Sequence, residues 1–230
     1  MSAMVPATRA GAVDQPVMPP PHHYFEESPQ SRSEERTIEV ALPDVSFEMR
    51  TDHGVFSHGR LDTGTAILLR GAPPPPQVGA FVDLGCGAGA IALTLAMRSP
   101  LASVLAVDVN TRARSLCSDN AARLGLTNVT VAHPDEVPGD TAVDLIWSNP
   151  PIRIGKPALH AMLATWLGRL APGRSAVLVV QRHLGADSLD RWLRSNGHTT
   201  RRLAARAGYR LIECTPPAWS GVDPIVGHSP

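Results

Sequence analysis

Apolar and polar positions change their spacing along the chain near residue 77. Before that point, "RTIEVAL" and "VSFEMRTDHGVF" alternate apolar with polar residues around a Pro-Asp pair, which predicts an N-terminal β-hairpin. A helix is predicted over "TGTAILLRG", ahead of the breaker "APPPP". Residues 1–34 are rich in proline, serine and polar residues and lack periodicity, so we expect a disordered or loosely ordered extension there.

After residue 77, short apolar runs alternate with segments of helical period. The predicted strands are "GAFVDLG", "SVLAVDV", "VTVAH", "AVDLIWS" and "SAVLVVQ", and the predicted helices are "AIALTLAMRS", "TRARSLCSDNAARLGL", "PALHAMLATWLGRL" and "ADSLDRWLRSNG". Such alternation predicts an α/β fold, with a doubly wound, mostly parallel sheet. The last two runs, "TTRRLAAR" and "YRLIECT", are too close for a crossover and should form an antiparallel pair at one edge.

The length of 230 residues suits one domain of ordinary size with extensions. We expect the hairpin and first helix over 35–72, the sheet domain over 73–218 and a tail over 219–230. No apolar run approaches the roughly 20 residues of a membrane span, and the N-terminus does not resemble a signal peptide. The three cysteines include no C-x-x-C pair, so no metal site is suggested. A cytoplasmic monomer without membrane contact is the expectation.

The formal charge of zero hides an uneven distribution. Residues 1–50 hold four arginines against eight acids, whereas residues 151–210 hold eleven basic residues against two acids. A cationic face attracts phosphate backbones regardless of sequence. The alternative is a solvated surface on which arginine replaces lysine, since the chain has 20 arginines and one lysine. Composition leaves both interpretations open.

Acidic and glycine residues follow successive predicted strands. Gly85, Gly87 and Gly89 lie between a strand and a helix, where backbone N–H groups can face a ligand. Asp83, just ahead of this loop, suits a cationic amino group better than a pyrophosphate. Asp108 ends the second strand, where a carboxylate can accept both hydroxyls of a ribose. Asp135 follows the third strand and is either an acceptor for an adenine amine or a solvated loop acid. The pattern predicts an adenosine cofactor.

The fourth strand leads into "SNPP", in which two prolines end the strand by removing ladder donors. In this order and spacing, "DLGCGAG", Asp108 and "SNPP" resemble the class I S-adenosylmethionine-dependent methyltransferases that methylate planar nitrogen atoms. The resemblance implies S-adenosylmethionine as methyl donor. It also implies that Asn149 and the carbonyl of Pro150 are catalytic, because they accept hydrogen bonds from the target amine. Such an amine is a poor nucleophile, so its positioning carries the catalysis.

The upstream segment "DHGVFSHGRLDTGTAILL" is similar to the one that precedes the core domain in the small-subunit (16S) ribosomal RNA guanine exocyclic-amine methyltransferases. The matching residues are Gly54, Val55, Phe56, Ser57, Leu61, Asp62, Gly64 and Thr65. The resemblance covers about residues 36 to 215. From it we place Asp62, Gly64 and Asn149 among the cofactor-binding residues.

This sequence departs from the family after the two prolines. The family has an aromatic residue there that can stack on a flipped base, whereas this chain has Ile152 and Arg153. We expect these two residues and Pro151 to border the substrate, and we expect Arg182 to lie near the entrance of the substrate site. The first hypothesis is methylation of a guanine amine in 16S ribosomal RNA, with ribosomal RNA or a ribosomal subunit as partner. The alternatives are methylation of a protein glutamine or a small metabolite, and a non-catalytic module that binds the cofactor or RNA.

Overall fold

The computed structural model describes residues 34–53, 55 and 59–217. Its strands are β1 (Arg36–Ala41), β2 (Ser46–Thr51), β3 (Ala80–Leu84), β4 (Ser103–Val107), β5 (Val129–Ala132), β6 (Val143–Ser148), β7 (Leu170–Gln181), β8 (Thr199–Arg206) and β9 (Tyr209–Thr215). Its helices are α1 (Thr63–Gly71), α2 (Ala90–Arg98), α3 (Thr111–Arg123), α4 (Lys156–Leu167) and α5 (Ala186–Ser195). Short 3-10 turns cover Pro134–Glu136, Ile152–Ile154 and Arg182–Leu184.

Seven strands form one sheet in the order β5-β4-β3-β6-β7-β9-β8. Pairing is parallel from β5 through β7, and β9 is antiparallel to both of its neighbours. The chain moves outward from β3 to β5 and then returns to place β6 on the other side of β3. Open α/β sheets bind ligands at the carboxyl ends of the strands where the order reverses in this way. The predicted fold class, including the antiparallel edge, is confirmed.

Central strands are apolar on both faces because helices cover both faces of the sheet. One core packs the hairpin and α1, α2 and α3 against one face, with Phe81 and Trp147 at its centre. The other core packs α4 and α5 against the opposite face, around Ile146 and Leu178. Burial by helices on both faces explains why β6, "VDLIWS", has no alternation of apolar and polar residues.

The β1–β2 hairpin alternates because only one of its faces is buried. Ile38 and Val40 on β1 and Phe47 and Met49 on β2 join the first core. Asn120 of α3 attaches the hairpin: its Oδ1 accepts from the Arg50 N–H at 2.8 Å, and its Nδ2 donates to the Arg50 carbonyl at 2.9 Å. The predicted hairpin is therefore present and docked on the sheet domain.

The junction between α4 and β7 differs from the sequence prediction. The helix was predicted to run through residue 170, but it ends at Leu167, and β7 begins at Leu170 rather than at residue 175. Leu170 is buried and pairs with Val143, after which the register shifts and residues 171–174 leave the ladder. Pro172 has no N–H to donate and Gly173 has a φ of +76°, so this segment suits a bulge.

The sheet ends at β5 on one side and at β8 on the other. The outermost strand β8 carries Arg201, Arg202 and Arg206, all exposed. No helix in the described ranges is long and apolar enough to cross a membrane. Within these ranges no cluster of three or more His, Cys, Asp or Glu side chains could hold a metal. The predicted disordered extension, apart from Glu34, and the predicted tail lie outside the described residues, as do Gly54, Phe56 and Ser57 of the upstream motif.

Candidate active site

The loops that follow β3, β4, β5 and β6 surround a cleft of about 960 Å³ at the strand-order reversal. Ten of the predicted site residues line it: Asp62, Gly85, Gly87, Asp108, Asp135, Asn149, Pro150, Pro151, Ile152 and Arg153. Three do not line it, namely Gly64, Asp83 and Gly89. The parts of the sequence that were selected separately therefore meet at one edge of the sheet.

The glycine loop folds back onto the end of β4. The N–H groups of Gly85 and Cys86 both donate to the Val107 carbonyl, at 2.8 and 3.0 Å. Gly87 has a φ of +53°, and its N–H donates to Oδ2 of Asp108 at 2.9 Å. Gly89 has a different role, because a Cβ there would lie 2.7 Å from Sγ of Cys117. The first two glycines shape the cleft, and the third allows α2 to approach α3.

Asp108 is held by two backbone donors. Its Oδ2 accepts from Gly87 and its Oδ1 accepts from the N–H of Asn110 at 2.9 Å. Burial raises the pKa of this carboxyl, although both hydrogen bonds oppose the shift. Each oxygen keeps a further lone pair, so two hydroxyl groups could still be bound. Asp135, in contrast, is exposed on the turn after β5.

Asp83 lies behind the glycine loop and is fully buried. Its Oδ2 accepts from the N–H of Ala92 at 2.9 Å, whereas its buried Oδ1 has no hydrogen-bond partner among the described residues. Burial raises the pKa of Asp83 to about 8, and the nearby charge of Asp108 adds to the shift. A cationic group near the loop would lower this pKa by favouring the carboxylate.

Asn149 is fixed by contacts on one side only. Its Nδ2 donates to Oδ2 of Asp62 at 2.7 Å and to Oγ1 of Thr65 at 3.1 Å. Because the carboxylate cannot donate, the amide must turn its NH₂ toward Asp62. The same Oδ2 accepts from the Thr65 N–H at 2.9 Å and so caps α1. No donor among the described residues reaches Oδ1 of Asn149, which is left as an acceptor beside the cleft.

The prolines after Asn149 carry the chain along the rim of the cleft. The carbonyl of Pro150 accepts from the N–H of Ile152 at 2.8 Å, which leaves it one lone pair for a ligand. Ile152 is half-buried and Arg153 is exposed. This rim can therefore offer an acceptor, an apolar surface and a positive charge.

Three residues contribute to the site in ways that were not predicted from the sequence. Thr65 matched the upstream motif, but its contact with Asn149 spans 84 positions and appears only in the fold. Tyr209 lines the cleft from β9. Arg169 also lines it and stacks over Trp166 with a separation of 4.3 Å from the ring centroid. No local pattern in the sequence marks Tyr209 or Arg169, or the contact of Thr65 with Asn149.

Much of the predicted positive charge is not neutralised by acids. Seven of the eleven basic residues between 151 and 210 make no ion pair with a described residue: Arg153, Lys156, Arg169, Arg182, Arg191, Arg202 and Arg206. Arg153 lines the cleft. Arg182 does not, although the adjacent Gln181 and nearby Leu184 do. These cations lie at the cleft, on α4 and α5, in the turn after β7 and on the outermost strand β8.

Comparison with known proteins gives a consistent result. The model of the methyltransferase small domain matches residues 46–213. The Bacillus subtilis (strain 168) protein YbxB, which is uncharacterized, is 31% identical over 194 residues, covering 83% of this chain and 96% of that protein. The ribosomal RNA small subunit methyltransferase C of Pseudomonas putida (strain GB-1) is 36% identical over 134 residues, covering 57% of this chain and 40% of that enzyme.

A solved structure shares the fold. It is the Thermus thermophilus 16S rRNA N2 G1207 methyltransferase in complex with AdoMet and guanosine, with a TM-score of 0.69 and 23% identity. The alignment covers 79% of this chain and 50% of that one. The chain therefore spans about half or less of the ribosomal RNA methyltransferases it matches, but nearly all of the Bacillus protein.

Proposed function

Because the chain belongs to the methyltransferase small domain family, we propose that its cleft methylates the exocyclic amine of a guanine in 16S ribosomal RNA. At the coarser level, the prediction of a class I methyltransferase that uses S-adenosylmethionine is confirmed. The choice of guanine, of RNA and of the individual site residues is our proposal.

The single observation that carries the proposal is the orientation of Asn149. Its NH₂ is occupied by Asp62 and Thr65, so its carbonyl oxygen is the group presented to a ligand. The lone pair of an exocyclic amine is delocalised into the ring, which makes the nitrogen a poor nucleophile. An acceptor that binds the amine hydrogens favours the geometry in which this lone pair can attack a methyl group. Asn149 and the Pro150 carbonyl are both too weakly basic to remove a proton, so they act by positioning the amine.

The residues around the glycine loop fit S-adenosylmethionine. A volume of about 960 Å³ is at the upper end of the range for small-molecule sites. Asp83 is buried behind the glycine loop and does not line the cleft, and a cationic amino group bound at the loop would favour its carboxylate form. Asp108 keeps acceptor capacity for two hydroxyls. When bound, the cofactor supplies an electrophilic methyl group on a sulfonium ion. The chain contributes binding through Asp108, which lines the cleft, and orientation of the amine through Asn149.

The unpaired cations support RNA as the substrate. Arg153 borders the cleft, and Arg182 lies close to it, so a phosphate backbone could be held beside the target base. The names of the Pseudomonas and Thermus relatives agree with this choice. Ile152 offers no aromatic ring on which a nucleobase could stack, so a protein glutamine or a small metabolite is the second candidate.

Radiolabelled S-adenosylmethionine incubated with separated ribosomal subunits, total RNA and total protein tests the proposal. We expect label in small-subunit RNA that is sensitive to nuclease and resistant to protease. Label that protease removes would favour glutamine and refute the RNA proposal. A chain that binds the cofactor but transfers no label to any fraction would refute the enzyme assignment.

Asn149→Ala tests the role of the amide directly. We expect nearly unchanged cofactor affinity and a fall in single-turnover methyl transfer of roughly two to four orders of magnitude. Asn149→Asp would place a carboxylate against Asp62, so we expect it to be poorly active as well. The double variant Asp62→Asn with Asn149→Asp restores a donor opposite the carboxylate and should recover part of the loss. Transfer at the wild-type rate by Asn149→Ala would make Asn149 only a turn residue.

A further inference from the structure

An aromatic residue reaches the cleft from the antiparallel edge of the sheet. Because β9 runs antiparallel to β7, its first residue, Tyr209, pairs with Gln181, the last residue of β7. The carboxyl end of β7 lies at the same sheet edge as the end of β6, which Asn149 follows. Tyr209 accordingly lines the cleft that contains Asn149.

The ring of Tyr209 and the amide of Asn149 are positioned by the same end of α1. A Cβ at position 64 would lie 2.9 Å from Cε1 and 3.2 Å from Cδ1 of Tyr209, so glycine is required for this contact. Asp62, two residues earlier, caps α1 and holds Asn149. Burial raises the pKa of Tyr209 and the charge of Asp62 raises it further, so the phenol is neutral at physiological pH.

Among described residues that line the cleft, the aromatic ones are Tyr209 and Trp166. Trp166 is 3% exposed and lies beneath the guanidinium of Arg169, so its ring is not available to a ligand. Tyr209 is half-buried: one side of the ring is against Gly64, and part of the residue remains accessible from the cleft. A ring supported in this way loses little freedom when a second ring packs on it.

We propose that the planar ring of the substrate stacks on Tyr209. In this chain Tyr209 would replace the aromatic residue that the family has after the two prolines, where Ile152 and Arg153 stand here. This inference rests on the proposed function and deepens it. The ligand it implies is a heteroaromatic ring with an exocyclic amine. A glutamine amide has no ring to stack, so Tyr209 favours a nucleobase.

The probe for the test is a short single-stranded RNA with one 2-aminopurine, a fluorescent base that carries an exocyclic amine. The full chain, saturated with S-adenosylhomocysteine, is titrated against this RNA and against the same RNA with an abasic site at that position. We expect the wild type to quench the base and Tyr209→Phe to bind within a few-fold of it. Tyr209→Leu keeps most of the apolar volume and should bind roughly ten- to a hundredfold more weakly.

Two controls separate stacking from folding. All variants should bind S-adenosylhomocysteine as the wild type does and unfold at similar urea concentrations. With the abasic RNA, the difference between the wild type and Tyr209→Leu should disappear. If Tyr209→Leu fails to fold, the wild type alone decides: equal affinity for the two RNAs, with no quenching, would overturn the inference.

The failure of this inference is distinguishable from the failure of the proposed function. Wild-type affinity of Tyr209→Leu for the aminopurine RNA overturns the stacking role, and if Asn149→Ala still loses methyl transfer to RNA, the proposed function stands. Methyl transfer by the wild type to glutamine peptides, with none to RNA, overturns both.

Discussion

Replacing Asp62 by alanine separates the positioning of Asn149 from the binding of the cofactor. Asp62 loses two bonds in this variant: the 2.9 Å cap on Thr65 N–H and the 2.7 Å bond from Nδ2 of Asn149. Loss of a helix cap costs about 0.5–2 kcal/mol of unfolding free energy. A hydrogen bond to a charged group contributes about 1.5–3 kcal/mol, and this second loss should appear in turnover.

Thr65 limits the size of the effect on turnover. Its Oγ1 still accepts from Asn149 at 3.1 Å, so the amide keeps one anchor. We therefore expect a loss near the lower end of the range for a hydrogen bond to a charged group. This corresponds to a fall of about ten- to thirtyfold in single-turnover methyl transfer at saturating S-adenosylmethionine. Asp62→Asn keeps a neutral acceptor for both bonds and should lose less.

Ala66→Gly is the matched control, because it weakens α1 by about 1 kcal/mol without touching Asn149. We expect it to lower stability as Asp62→Ala does and to leave turnover unchanged. If Asp62 acts through Asn149, then Asp62→Ala should cost little in an Asn149→Ala background. An equal cost in both backgrounds, or a slow Ala66→Gly variant, would refute the positioning argument.

Three further predictions concern cofactor, pH and salt. Asp108→Ala should weaken S-adenosylhomocysteine binding about ten- to a hundredfold in calorimetric titration, since a charged acceptor for hydroxyls is lost; equal affinity would remove Asp108 from the site. The pKa of Asp83 is raised from 3.8 to about 8 on folding, so its contribution to stability is complete below pH 4 and is lost as the pH rises to 8. The unfolding free energy of Asp83→Asn should therefore rise relative to wild type over that range, in urea titrations at several pH values, and a constant difference would contradict the shift. RNA affinity should fall steeply with added salt, and a flat dependence between low and moderate salt would show that the unpaired arginines do not bind phosphate.

Sequence periodicity was sufficient for the sheet because each central strand is a short apolar run between distinct helices. The predicted helix "TGTAILLRG" coincides with α1, since Asp62 marks its start and "APPPP" prevents its continuation. The prediction for the α4–β7 junction was wrong because a buried Leu170 fits either a helix or a strand. Pairing with Val143 decided in favour of the strand, and this partner is distant in sequence.

The site was only partly predictable for a similar reason. Asp108 and Asn149 could be identified as site residues from the sequence, because residue type and position after a strand are local properties. The direction in which the Asn149 amide turns depends on Asp62, which lies 87 positions away. Tyr209 enters through the antiparallel edge, where neither the glycine loop nor the "SNPP" segment gives any indication of its presence.

The arginines on β8 have a consequence for experiments on this protein. An outermost strand offers unpaired backbone groups to a second chain, and charged side chains are one means by which proteins prevent such edge-to-edge association. Arg201, Arg202 and Arg206 occupy this edge. Alanine at these positions would remove both an attraction for polyanions and a barrier to self-association, so weaker RNA binding could reflect dimers or aggregates. At Arg202 and Arg206, glutamate reverses the charge and keeps the edge protected, which makes it the cleaner substitution, whereas at Arg201 it would face Glu213 on β9.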